Sequence, residues 1–226
     1  MLCYSLKKGS SKGKNFTARC PNSNPSKIGI FGLKYITMDD IDSEIKKQGG
    51  ILPMFEAFYL ESIVYAAERA LSAFERFDED YTRGDQDNLA VANVQEALTH
   101  IGELSRIFWP SRDNGISSDR GEKLRQAFSL GDDSALKNRN LRDTLEHFDE
   151  RLDMYLKKFP VGQIIPSSIV GMISAVPKPI RAFRLLDPHS STFVVLDEVY
   201  EFGSLREATK DVLQKAREKL KSGACL

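Results

Sequence analysis

One short segment of the sequence, from Arg142 to His147, holds side chains that together can act on a phosphate ester. Arg142 can direct paired N–H groups at the negative charge that gathers in a phosphorane-like transition state. An imidazole titrates near neutral pH, so His147 can take a proton from a nucleophile or give one to a leaving group. Asp143 can orient that ring and fix its tautomer. We therefore expect catalysis that needs no metal and no other cofactor.

These residue types are compatible with an RNA substrate, which carries its own nucleophile, the 2′-OH, beside the scissile phosphate. Lys137 and Arg139 lie just before the segment, near the start of the same predicted helix. They can hold flanking phosphates, aided by the helix dipole. An interpretation as ordinary solvated charges fits Lys137 and Arg139 equally well.

The rest of the sequence offers no competing catalytic motif. It contains no GxxxxGK[ST], GxGxxG, HExxH or GxSxG. The other histidines, His100 and His189, fall in separate predicted elements, so we expect no multi-histidine metal site. The cysteines form no CxxC pair, and we interpret them as reduced thiols of a cytosolic protein.

The composition is that of a soluble globular protein, with 41% hydrophobic and 28% charged residues. Lys plus Arg equals Asp plus Glu, 32 against 32, so the net charge does not indicate a general nucleic-acid or membrane binder. No apolar run approaches the ~20 residues of a membrane helix, and the start lacks the apolar core of a secretory signal. We therefore predict a cytoplasmic protein with no membrane partner.

A three-four spacing of apolar residues predicts four helices in the middle of the chain. They cover residues 53–84, 87–109, 118–130 and 134–159. Short loops join them, which predicts an antiparallel four-helix bundle in a domain of residues 38–160. Residues 1–37 are basic and poor in large apolar residues, and we predict a flexible tail that either helps to hold RNA or is a solvated extension.

The apolar pattern changes from three-four spacing to alternation after Pro160. Residues 181–186 and 192–202 are β-branched and aromatic runs on either side of the turn Asp187-Pro188-His189-Ser190, which predicts a β-hairpin. Residues 204–221 begin with a capping-box spacing and predict a last helix. We therefore predict that residues 161–226 form a C-terminal β-hairpin with a final helix, after an irregular segment at 161–178.

In the fourth predicted helix one apolar stripe is expected to pack into the bundle. The stripe consists of Leu141, Leu145, Phe148, Leu152, Leu156 and Phe159. Asp143 and His147 share a face nearly opposite this stripe, and Arg142 lies at its edge, where its charged head can leave the apolar surface. That face is either a solvated helix face or a contact with a second copy, and Met154 on it favours the contact.

The pattern Arg142-Asp143-xxx-His147 resembles the motif of the HEPN superfamily, an Arg followed by Asn, Asp or His, then three residues, then His. In that superfamily the motif lies near the start of the last bundle helix, as it does in the layout predicted here for residues 51–159. The resemblance implies a mainly α fold with a HEPN-like bundle, and metal-independent RNA cleavage at a site formed by two bundles. It also implies a homodimer, a role in toxin or antiviral defence systems, and an antitoxin or regulatory partner protein.

Two classes of function remain open from the sequence. The first is an endoribonuclease of HEPN type, and the intact motif favours it. The second is a non-catalytic helical dimer that acts as an RNA-binding or protein-interaction module. The neutral overall charge and the lack of a recognisable RNA-reading module favour this second class.

Overall fold

The computed structural model describes residues 38–84, 87–112, 114–158, 164–175, 181–223 and 226. Within these ranges the chain is mainly helical, with a small sheet and a C-terminal helix. The α-helices are α1 (Met38–Lys47), α2 (Glu56–Arg83), α3 (Asp87–Phe108), α4 (Ile116–Phe128), α5 (Arg139–Glu146), α6 (Phe148–Lys158) and α7 (Phe202–Ser222). The strands are β1 (Ile164–Val170), β2 (Arg181–Asp187), β3 (Thr192–Val195) and β4 (Glu198–Glu201). The predicted mainly α class is confirmed, while the predicted tail at 1–37 lies outside the described residues.

The prediction of one continuous fourth helix is wrong. Within residues 134–159 the first helix, α5, begins at Arg139. The Asn138 side chain accepts the Leu141 N–H at 2.9 Å and so caps the N-terminus of α5. The helix then ends at His147, whose backbone leaves the helical region (φ −110°, ψ 41°), and α6 follows. Neither Pro nor Gly marks this break in the sequence. A packing contact accompanies it instead, because Phe148 meets Phe183 of β2 edge-to-face, with ring centroids 5.9 Å apart.

The break also changes which side chains of α6 are buried. Leu141 of the predicted apolar stripe is buried, but Leu156 is 46% exposed and Tyr155 is the buried residue of α6. A continuous helix would keep a constant phase of about 100° per residue, and the interruption at His147 resets that phase. As a result Leu156, which the continuous helix would bury, joins Met154 at the surface of α6.

The described residues form two compact units. The first gathers residues 38–64, 107–131 and 213–226, and buries Phe108 against Phe128 with ring centroids 5.2 Å apart. Gly50 approaches α4 closely here, since a Cβ at Gly50 would lie 2.2 Å from the backbone N of Arg120. Its φ of +86° is also one that glycine adopts most easily.

A buried charge pair lies inside the first unit. The Lys123 ammonium donates to the Glu56 carboxylate at 2.7 Å and also to the carbonyls of Gln48 and Ile51. The other carboxylate oxygen of Glu56 accepts the N–H of Leu226 at 2.8 Å. The pair therefore connects several separate parts of the chain within this unit.

The second unit gathers residues 65–106 and 132–212, which bring the sheet together with parts of α2, α3 and α7 and with all of α5 and α6. Phe202 at the start of α7 stacks on Phe74 of α2, with ring centroids 5.7 Å apart. The Tyr200 hydroxyl of β4 donates to the buried Thr144 hydroxyl of α5 at 2.8 Å. The sheet of this unit therefore packs directly on its helices.

The sheet has the order β1-β2-β3-β4, with β1 parallel to β2 and the other neighbours antiparallel. The predicted hairpin is confirmed as β2 and β3. The interpretation of residues 161–178 as irregular is wrong, because β1 occupies part of that segment. The predicted single strand at 192–202 is also wrong, because a two-residue turn at Leu196 and Asp197 separates β3 from β4.

Asp187 ends β2 and organises the turn that follows it. Its buried carboxylate accepts the N–H of Ile173 on one oxygen and the N–H groups of His189 and Ser190 on the other, at 3.1–3.3 Å. Burial raises the pKa of this carboxyl, but the donated backbone and Ser190 hydrogen bonds outweigh burial, so the pKa of Asp187 lies below its ordinary value. The charged carboxylate is thus the form that stabilises the fold.

Asp187→Asn is expected to lower the free energy of unfolding by about 1–3 kcal/mol at neutral pH, because an amide N–H₂ would face a backbone donor. Since the folded pKa is lowered, the contribution of Asp187 is present above the unfolded pKa of about 3.9 and is lost as pH falls through the folded value. Urea unfolding of both proteins at neutral pH and at about pH 3 measures this difference. Asp149→Asn, an exposed carboxylate of α6, is the control. A loss for Asp187→Asn that does not shrink on acidification contradicts the prediction.

Candidate functional site

Helix α5, which carries Arg142 and Asp143, is held from two sides. On one side Arg106 of α3 pairs with Glu146 at 3.1 Å. On the other side β4 contacts it through the Tyr200–Thr144 hydrogen bond, and the Asn140 amide donates to Glu198 at 2.6 Å. These contacts fix the helix that leads into His147.

Arg142 is buried, with 4% of the residue exposed. The expectation that its charged head leaves the apolar surface is therefore wrong for this structure. Gly102 of α3 lies next to it, since a Cβ there would be in ordinary van der Waals contact with the Arg142 Cα, at 4.0 Å. Helices α3 and α5 are therefore in contact at this point, where Arg142 is buried.

Asp143 lies beside arginines in this structure. Its two carboxylate oxygens are 3.8 Å from Arg139 Nε and 3.9 Å from Arg142 Nε. Its recorded contact with His147 is through the backbone, where the His147 N–H donates to the Asp143 carbonyl at 3.1 Å. The role predicted for Asp143, to orient the imidazole, stays a prediction.

His147 is exposed at the junction of α5 and α6. Its backbone carbonyl accepts the Arg151 N–H at 2.9 Å, which begins α6. Its imidazole makes no hydrogen bond or ion pair with any residue that the structure describes. Neither ring nitrogen is bonded to a described residue, so a proton or a ligand can approach the imidazole from solvent.

Lys137 and Arg139 lie near the N-terminus of α5, as the sequence predicts. Lys137 already forms an ion pair, since its ammonium is 2.7 Å from the Asp132 carboxylate. Arg139 is the more accessible cation, with 71% of its side chain exposed and only the longer contact to Asp143. Arg139 is therefore better placed than Lys137 to meet an anion.

A group of residues beside His147 was missed by the sequence analysis. Arg184 of β2 donates from Nε to the Gln95 side chain of α3 at 2.9 Å. Its guanidinium carbon lies 4.3 Å from the ring centroid of Phe183 and 5.4 Å from that of Phe148, the residue after His147. Burial lowers the pKa of the Arg184 guanidinium below its ordinary value. Only the order of basic and aromatic residues in 181–184 could have indicated this contact.

No family model, curated protein or solved structure matches this chain. In the part of the chain that the structure describes, no helix is long and apolar enough to cross a membrane. Among those same residues no group of His, Cys, Asp and Glu has an arrangement that could hold a metal ion. The case for a function therefore depends on the residues around α5, α6 and the sheet.

Proposed function

We propose that this chain is a cytoplasmic, metal-independent endoribonuclease of HEPN type, with a HEPN-like helical bundle around α5 and α6. The observation that carries this proposal is the exposed imidazole of His147, which has no partner among the described residues and follows Arg142 and Asp143 at the motif spacing. A role as a toxin or defence effector, held in check by an antitoxin or regulatory partner protein, belongs to the same proposal.

The proposed reaction is attack of the RNA 2′-OH on the adjacent phosphorus. The 2′-OH proton passes to His147, and the 2′-oxygen forms a bond to phosphorus. The bond from phosphorus to the 5′-oxygen breaks, and that oxygen gains a proton from a second imidazole. The products are a 5′-OH end and a 2′,3′-cyclic phosphate, which water can open to a 3′-phosphate.

The burial of Arg142 changes the role proposed for it. A residue that is 4% exposed offers little of its guanidinium to a ligand, so Arg142 acts mainly through its charge and its place beside Asp143. Such a charge acts more strongly in a water-poor setting than at the surface. Arg139 then supplies the direct phosphate contact, with Lys137 at the same end of α5 as a weaker candidate.

Two copies complete the proposed site, because one imidazole cannot take and give a proton at the same moment. Helix α6 begins next to His147 and exposes Met154 (56%) and Leu156 (46%), which suits a contact between copies. We therefore propose a homodimer in which the two α6 helices lie near the symmetry axis.

Leu156→Asp is expected to convert the dimer to a monomer at micromolar concentration and to abolish RNA cleavage with it, since a charge would enter an apolar contact. Light scattering and a gel assay on the same samples measure both effects. Val199→Asp, which places the same charge on an exposed apolar residue of β4, should leave both unchanged. A wild-type monomer that cleaves RNA contradicts the two-copy site.

The test of the proposed function is a gel assay of purified protein with total RNA, with and without EDTA. We expect cleavage in both conditions and products that end in a cyclic phosphate or a 3′-phosphate. Cleavage that needs Mg²⁺ contradicts the proposal, because the chemistry would then depend on a metal-bound water.

A non-catalytic helical module that binds RNA or protein is the second candidate, and one observation favours it. The burial of Arg142 leaves the motif without an accessible guanidinium of its own. If the wild-type protein cuts no RNA but binds it, this second candidate is the better description.

A further inference from the structure

Arg184 differs from three other arginines of the second unit in the partners that its guanidinium has. Arg106, Arg181 and Arg206 pair with the carboxylates of Glu146, Asp197 and Asp78 respectively. Arg184 instead has the neutral Gln95 side chain and two phenylalanine rings, and no carboxylate partner among the described residues.

The geometry leaves most of the Arg184 donors available. A guanidinium has five N–H donors, and the bond to Gln95 uses the one on Nε. The terminal N–H groups have no hydrogen-bond partner in the part of the chain that the structure describes. The ring of Phe183 lies 4.3 Å from the guanidinium carbon and, with Gln95, holds the group in place. A fixed guanidinium with open N–H groups suits paired hydrogen bonds to a phosphate.

The position of this group connects it to the proposed site. Arg184 lies 5.4 Å from the ring of Phe148, which directly follows His147 in the chain. Phe148 and Phe183 are both half-buried, so neither residue is fully enclosed in the core. Unpaired RNA bases stack on aromatic rings and on guanidinium planes, whereas bases inside a duplex are not available for this.

We propose that Arg184, Phe148 and Phe183 bind a nucleotide of single-stranded RNA next to the phosphate that His147 acts on. Arg184 donates to the backbone phosphate of that nucleotide, and the rings contact its base. The identity of the ligand as RNA rests on the proposed function, whereas the anion-binding geometry of Arg184 stands by itself. The site should prefer single-stranded RNA, because bases that are paired and stacked inside a duplex are not available to contact the two rings.

The test is equilibrium binding of a fluorescent single-stranded RNA of about 12 nucleotides with 2′-O-methyl riboses, which cannot be cut by 2′-OH attack. Arg184→Gln is expected to weaken binding about tenfold or more, and to reduce the slope of log affinity against log salt by about 0.7. Arg69→Gln removes an exposed arginine that lies over Tyr65, and should change neither quantity. Gln95→Ala loosens the support of Arg184 but keeps its charge, so it should leave the salt slope unchanged.

The outcomes separate this inference from the proposed function. His189→Ala, at an exposed histidine outside the proposed site, should bind the methylated RNA as the wild type does. If the wild type cuts unmodified RNA and Arg184→Gln binds RNA as tightly as the wild type, the Arg184 site is wrong. The proposed function is then still supported. If the wild type binds RNA, Arg184→Gln weakens that binding as expected, and the wild type cuts no RNA, the proposed reaction is wrong and the Arg184 site is supported. Absence of RNA binding by the wild type, or equal loss of affinity in Arg69→Gln, overturns the Arg184 site.

Discussion

His147→Ala is expected to lower the rate of RNA cleavage by about 10²–10⁴-fold, because it removes the group proposed to transfer the 2′-OH proton. The side chain is exposed and makes no hydrogen bond with the described residues, so its loss should not change the fold. The melting temperature of the variant is therefore expected to equal that of the wild type. The measurement is the single-turnover rate on a defined single-stranded RNA.

His189→Ala is the matched control, since His189 is an exposed histidine in the β2–β3 turn of the same unit. It should cleave RNA at the wild-type rate. A second substrate replaces the 2′-OH at the cleavage position by hydrogen, and neither protein should cut it there. If the wild type still cuts the deoxy position, the proposed nucleophile is wrong. If His189→Ala loses as much activity as His147→Ala, the proposed role of His147 is wrong.

Arg142 and Asp143 are less direct tests of the same reaction. Arg142→Ala should slow cleavage because it removes a positive charge beside Asp143, but its burial means that it should also destabilise the second unit. Asp143→Asn should be milder, since an amide can still accept a hydrogen bond from a neighbouring arginine. His147 is therefore the residue whose substitution separates chemistry from folding.

Glu56→Ala is expected to lower the free energy of unfolding by about 3 kcal/mol, because it leaves the Lys123 ammonium without its partner in a mostly buried position. The N–H of Leu226 loses its acceptor at the same time. For a chain of this size the loss corresponds to a fall in melting temperature of about 6–12 °C. Thermal and urea unfolding both measure it.

The matched control for Glu56 is Glu207→Ala in α7. Glu207 also pairs with a lysine at 2.7 Å, through Lys210, but both side chains are at least half exposed. An exposed pair of this kind contributes only about 0–1 kcal/mol. Equal and small losses for the two variants would show that the burial of the Glu56–Lys123 pair does not stabilise the first unit.

Most of the helices could be predicted from the sequence because their apolar spacing and stop signals are local. Pro53 and Gly84 lie close to the two ends of α2, and Pro110 lies just after the end of α3. The interruption at His147 has no such signal, since it accompanies a contact between Phe148 and the distant Phe183. A rule based on spacing within one helix cannot detect a contact with a strand that follows later in the chain.

The two strands that were missed have a similar explanation. Leu196 and Asp197 form the turn between β3 and β4 with φ values of 53° and 65°, yet Leu196 is not the Asn, Asp or Gly that usually opens such a turn, and Asp197 is not the Gly that usually follows. β1 lies within the segment 161–178, which contains Pro, Ser and Gly, and among the described strands it pairs with β2 alone. Tertiary pairing decides both elements, and local propensity does not indicate them.

The candidate site could be predicted in part. The spacing from Arg142 to His147 is a property of the sequence, and so are the nearby Lys137 and Arg139. Arg142 is buried where α5 meets Gly102, and Arg184 is supported by Gln95, and both of these neighbours lie in α3. Contacts of this kind between distant segments determine which cations face solvent, and one sequence alone does not give them.

The first unit draws its residues from widely separated parts of the chain, and this affects when it can fold. Residues 38–64 are made first among the described residues of this unit, and residues 213–223 and 226 are made last. The Lys215 ammonium, for example, donates to the Phe128 carbonyl across 87 positions of sequence. Contacts between such distant positions slow folding, because long loops must close first. During synthesis the packing around Phe108 and Phe128 therefore stays incomplete until α7 has been made. A nascent chain that stalls before residue 213 is expected to expose these two rings to chaperones and proteases.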